Sequence, residues 1–180
     1  MKRILFTVCM LFGCVLFTMA QDKNYRIEGR LANTVNGKLL LVTKMEKGTI
    51  DISEADVTNG VFEFTGRMPE ITLVYLMPVK KNAVLASFML ENANYTITMG
   101  ANELIVESDG EAQKVWKEFY DLDKSLQQSQ QQLDMQARAN PAQLQRLQQE
   151  FKKIVDKIEA DELALIKKYS DSPVSAFVIA

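Results

Sequence analysis

The sequence predicts an α+β fold: an antiparallel β-sandwich or small barrel of about seven or eight strands, followed by a long helical hairpin. Two observations predict it. All eight glycines lie at or before Gly110, whereas eleven of the twelve glutamines lie between Gln113 and Gln149. Apolar residues also recur with period two before this boundary and with helical spacing after it.

Residues 1–20 have the parts of a secretory signal peptide. Lys2 and Arg3 precede an apolar run from Ile4 to Phe17, and Thr18-Met19-Ala20 sets small residues ahead of cleavage between Ala20 and Gln21. Leu11-Phe12-Gly13-Cys14 loosely resembles a lipobox, which makes Cys14 the candidate for lipidation. The chain is therefore expected to be exported, to the periplasm or cell envelope, with or without a lipid anchor. Losing Lys2 and Arg3 with the leader moves the formal net charge from −2 to −4. No Lys/Arg cluster is interleaved with aromatics, so no nucleic-acid footprint is expected.

A β-domain is expected over residues 21–108. Tyr25, Ile27, Gly29 and Leu31 alternate with charged residues, as in a half-buried strand. Lys38 to Lys44 is a more continuous apolar strand, and Ile50 to Val57 follows. Asn59-Gly60 precedes Val61 to Phe64 and suits a type I′ hairpin turn. Thr72–Met77, Val84–Leu90, Tyr95–Met99 and Glu103–Glu107 complete the strands, punctuated by Pro69, Pro78, Asn92-Ala93-Asn94 and Gly100.

A helical connector is expected over residues 109–171. Ser108-Asp109-Gly110-Glu111 has the Ser-x-x-Glu spacing of a capping box. Val115, Phe119, Leu122, Leu126, Ser129 and Leu133 fall on one helix face. Asn140-Pro141 marks a second helix start, with Leu144, Leu147, Phe151, Ile154, Ile158 and Leu165 as its stripe. Ser172-Pro173 ends the second helix or starts a third, and residues 172–180 are expected to be the start of a further segment or a truncated end.

The candidate chemistry is sparse. Histidine is absent from all 180 residues, and both cysteines, Cys9 and Cys14, lie in the leader. This removes Ser-His-Asp and Cys-His nucleophiles, Cys/His zinc sites and dithiol exchange from the mature chain, so neither a catalytic residue nor a cofactor is expected. Asp51, Glu54 and Asp56 do not fit a calcium loop and read as the solvent side of a strand. Gln127–Gln132 reads as a solvated helix face between Leu126 and Leu133. Trp116, Phe119 and Tyr120 form the aromatic cluster nearest the junction; it either docks the helices on the sheet or forms a partner surface.

Several short motifs recur in a telling order. Val57-Thr58-Asn59-Gly60-Val61-Phe62-Glu63-Phe64-Thr65-Gly66 is followed by Ser87-Phe88-Met89-Leu90-Glu91-Asn92. Lys167-Lys168-Tyr169-Ser170-Asp171-Ser172-Pro173-Val174-Ser175-Ala176 comes last. This order resembles the DUF4369-type N-terminal domain of Bacteroidetes envelope proteins, which commonly precedes a thioredoxin-like domain of the thiol–disulfide interchange class (TlpA/ResA/AhpC-like). The resemblance implies a β-sandwich-like module, a helical connector and a redox domain beyond them. No Cys-x-x-Cys is present, so the family's catalytic cysteines map onto no residue of this sequence.

The expected function is a non-catalytic envelope module that positions a client or partner for a thioredoxin-like domain, in cis or in trans. The alternative is a standalone binding or structural protein that forms homo-oligomers through its helical hairpin.

Overall fold

In the computed structural model, which describes residues 24–45, 48–79 and 83–179, the alternating first half forms two four-stranded sheets. The leader readings, cleavage between Ala20 and Gln21 and lipidation at Cys14, lie outside the described residues. The strands are β1 (Tyr25–Arg30), β2 (Gly37–Met45), β3 (Gly48–Val57), β4 (Val61–Gly66), β5 (Thr72–Pro78), β6 (Ala86–Leu90), β7 (Asn94–Met99) and β8 (Leu104–Ser108). Helices follow at α1 (Glu111–Ala139), α2 (Leu144–Lys168) and α3 (Pro173–Ile179). An α+β sandwich followed by a helical hairpin is thus the architecture. No helix among the described residues is long and apolar enough to cross a membrane.

One sheet runs β4-β1-β7-β8 and the other β3-β2-β5-β6. Their facing sides share a core of Ile27, Leu41, Phe64, Val74, Phe88 and Ile97, among others. In β1 the alternation is clean, with Tyr25 and Ile27 buried and Arg26, Glu28 and Arg30 exposed. In β2 Leu39 and Leu41 face the shared core while Val42, on the opposite face, is also buried, so both sides of the strand are covered, which explains the unbroken apolar run there.

The Asn59-Gly60 turn is present, with positive φ at both residues and a bridge between Thr58 and Val61. It does not close a hairpin. β3 joins one sheet and β4 the other, so the turn carries the chain between the layers. A Cβ at Gly60 would lie 2.5 Å from the Ala32 carbonyl oxygen, so the turn is held tightly against the end of β1. A second departure lies between β1 and β7, which pair in parallel from Arg26↔Asn94 to Arg30↔Thr98. The long connection that a parallel pair needs is supplied by the whole of the other sheet.

The helices attach at one edge of the sandwich. Met89 of β6 packs with Ala112, Val115 and Phe119 of α1 and with Val174 of α3 in a second core. Beyond Phe119 the α1 stripe is half-buried against α2, as at Leu122, Leu126, Ser129 and Leu133. Ser172-Pro173 starts a helix, α3, rather than ending one. Asn140 caps the end of α1, and a short 3-10 turn (Pro141–Gln143) precedes α2.

Candidate partner-binding groove

The first turns of α1 are fixed by β-strand residues. The expected capping box does not form: Ser108 Oγ accepts from Gly110 N–H and donates to the Asn94 carbonyl. Glu91 takes over the cap, its Oε1 accepting from Ala112 N–H at 2.7 Å and Gln113 N–H at 3.3 Å. Gly110 has no Cβ, and one built there would lie 2.2 Å from that oxygen, so glycine makes room for the cap.

Gln113 answers from the helix side. Its buried Oε1 accepts the Met89 N–H at 2.9 Å, an amide on the outer edge of β6. The Met89 carbonyl accepts from Tyr95 Oη at 2.9 Å, and Tyr95 Oη accepts from Glu91 N–H at the same distance. Burial, more than any other cause, pushes the Tyr95 hydroxyl up to about 12. At the other end of the connector, Glu118 accepts from Tyr169 Oη at 2.5 Å and from Lys168, pinning α1 to the end of α2. The Tyr169 hydrogen bond, then that from Lys168, holds the Glu118 carboxyl below its ordinary value.

This anchoring divides the three aromatics of α1. Phe119 is buried in the second core and docks the helix. Trp116 packs on that core from its rim, with its Nε1–H buried and without a hydrogen-bond partner among the described residues. Tyr120 is 38% exposed and donates its hydroxyl to Glu103 Oε2 at 3.2 Å.

Trp116 and Tyr120 line a slot of about 280 Å³ between β6 (Ala86, Ser87) and β8 (Leu104, Val106), with α1 as its floor. Glu103, just ahead of β8, sits at the mouth. It is ion-paired with Lys124, whose hydrogen bond is the main cause holding its carboxyl below the usual range. Lys117 pairs with Asp121 at 2.5 Å on the same rim.

Leu85, Glu103 and Leu104 also line a larger cleft of about 1220 Å³ at the open end of the sandwich. Its walls are mainly apolar, including Leu31, Val57 and Met99, and Val79, Val84 and Met99 remain exposed there. Cleft and slot thus adjoin, sharing Leu85, Glu103 and Leu104, and together make the groove between the sandwich and the face of α1.

Sequence reasoning picked out Trp116 and Tyr120 but missed Glu91, Glu103, Gln113 and Lys124. Their roles depend on partners 17 or more positions away, and no local spacing signals them. Asp51, Glu54 and Asp56 do not line the groove; Glu54 and Asp56 pair with Lys38, at the margin of the larger cleft, on the solvent side of β2 and β3. Among the described residues no group of three or more acidic side chains is placed to hold a metal ion.

No curated protein and no solved structure matches the chain. A family model described as a domain of unknown function, DUF4369, matches residues 25–115, which run from the start of β1 through the first turn of α1. The chain therefore belongs to the DUF4369 family.

Proposed function

We propose that the chain is a non-catalytic cell-envelope module that holds a polypeptide client or partner for a thioredoxin-like thiol–disulfide interchange domain, in cis or in trans. The observation that carries the binding half is the groove: a mainly apolar cleft of about 1220 Å³ that shares Leu85, Glu103 and Leu104 with a slot on α1. Apolar clefts with a few fixed polar groups are the usual form of a binding site. The redox half rests on the family resemblance, and the export half on the leader, processed after Ala20 or lipidated at Cys14. The helices support a positioning role because Glu91, Gln113 and Phe119 fix α1 to the sandwich, so whatever binds the groove keeps a set orientation to the connector.

The test uses Trp116, the single tryptophan of the chain, as its reporter. Purified protein is titrated with a reduced, alkylated, permanently unfolded protein and with the native form of the same protein. Saturable binding of the unfolded form alone is expected, seen in Trp116 emission and by calorimetry. Failure to bind the unfolded chain overturns the reading.

A second reading, self-association through the helical hairpin, draws on one observation. Met135 and Leu163 are 65% and 57% exposed, and Leu144 at the tip is 48% exposed. Light scattering over a concentration series decides it: a stable oligomer that Leu163→Glu dissociates supports the hairpin as an interface, and a monomer throughout removes it.

A further inference from the structure

Two sheets packed face to face leave four edge strands, and this fold treats its edges unequally. On one side β3 runs into β4 through the Asn59-Gly60 turn, and charged Asp51, Glu54 and Asp56 lie along β3. On the other side lie β6 and β8, which do not pair with each other. An unpaired edge presents N–H and C=O groups that accept another strand, and folds commonly seal it.

The directions of these groups follow from the ladder bonds. Gly100 N–H donates to the Glu103 carbonyl and Asp109 N–H to the Asn94 carbonyl. In the β7–β8 register these are hydrogen-bonded pairs at the two ends. Alternation then makes Thr98/Ile105 and Thr96/Glu107 the inward pairs, so the main-chain groups of Leu104 and Val106 face away from β7, toward the slot. On β6 the same reasoning points Met89 and Ser87 outward. The fold seals Met89, with Gln113 on its N–H and Tyr95 on its carbonyl. Among the described residues no backbone or side-chain hydrogen bond seals Leu104 or Val106.

The charges on the slot also bear on what would fill it. Lys124 pairs with Glu103 and Lys117 with Asp121, so the rim ions cancel. What remains unmatched along the slot is mainly the row of backbone dipoles on β8, with those of Ser87 on β6, and these are complementary to an extended backbone and not to a net charge.

We propose that an extended polypeptide segment adds to the outer edge of β8 as a further strand, with Leu104 and Val106 supplying its hydrogen bonds and Trp116 and Tyr120 flooring it. This rests on the client-holding reading above and specifies how the client is gripped. Strand addition draws affinity from backbone bonds and selectivity from alternate side chains. Side chains on the inner face of the added strand would lie beside Leu85, Leu104 and Val106. Those on the outer face would lie beside Ile105 and Glu107. The preferred segment therefore alternates apolar and polar residues, and basic polar residues are favoured beside Glu107.

The probe is the capped hexapeptide Lys-Thr-Val-Thr-Val-Thr, tested on the full exported protein. Binding should slow amide exchange at Leu104 and Val106 and shift Trp116 emission. Val106→Pro removes one outward N–H while leaving the β7 ladder intact, and should weaken the peptide by about tenfold or more. Two N-methylated peptides, modified either at both valines or at the second and third threonines, make the test independent of that variant's folding. One set should lose binding and the other retain it, because alternate N–H groups face opposite sides of a strand. Equal binding by both sets, or no protection at Leu104 and Val106, overturns strand addition. If the unfolded protein still binds in that case, the client-holding reading survives; if it does not bind, both fall.

Discussion

Glu91 Oε1 lies 2.7 Å from the Ala112 backbone nitrogen, so the longest helix of the protein is capped by a residue twenty-one positions upstream. The cap couples two layers: the loop after β6 must be in place before α1 has a satisfied first turn.

Replacing Glu91 with alanine should destabilise the protein by about 1–2 kcal/mol, the usual loss for a helix N-cap. Urea unfolding should show this, with faster amide exchange confined first to Ala112 and Gln113. Gly110→Ala, which would push the Glu91 carboxylate out of place, should give the same local signature.

Gly60→Ala should destabilise by about 1–3 kcal/mol, because φ there is +79° and the new methyl would meet the Leu31 and Ala32 carbonyls. Asn59, at φ 52°, should tolerate glycine with little change. Thermal melts of the two variants separate the effect of this turn from general loop sensitivity.

The Glu103–Lys124 pair should impose an acid dependence. A carboxyl held below its ordinary value contributes stability that is present above the unfolded value, about 4.3, and is lost as pH falls through the folded one. The stability gap between the wild type and Glu103→Gln should therefore be full at neutral pH and close in acid. Both partners are more than a third exposed, so added salt should also shrink the gap.

Tyr95 should behave in the opposite sense. Its hydroxyl is raised to about 12, so its contribution is complete below about 10 and is lost as pH climbs toward the folded value. Ultraviolet titration of phenolate should show a late step near pH 12, and Tyr95→Phe should remove that step. The same variant strips the Met89 carbonyl of its donor and should destabilise by about 1–2 kcal/mol.

Trp116→Phe removes a buried N–H that has no acceptor among the described residues, together with some apolar area. An unsatisfied donor costs about 1–3 kcal/mol, enough to offset the lost packing, so the substitution should leave stability nearly unchanged. Trp116→Ala loses the area as well and should be clearly destabilising by denaturant titration.

Much of this architecture was legible because it is written locally. The alternation of Tyr25 to Arg30 and the helical stripe from Val115 to Leu133 each encode a period that only one element satisfies. What escaped is encoded between distant residues. Asn59-Gly60 specifies a turn but not which sheet receives β4, because that depends on where Phe62 and Phe64 find their core. Ser108 and Glu111 have the capping-box spacing, yet Glu91 wins the position because β6 delivers its carboxylate to the free amides. The aromatic trio was visible on α1, but its division into an anchor and a slot lining follows from the placement of Met89 and Glu103.

α1 also has a mechanical consequence. Its 29 residues extend for about 43 Å, and its fully buried side chains all lie between Ala112 and Phe119. It is therefore a lever clamped at one end. A tilt of about 5° at the clamp would carry the far tip near Asn140 through about 4 Å over that length. Occupancy at the fulcrum, beside Trp116, would be read out as displacement at the distant end of the hairpin.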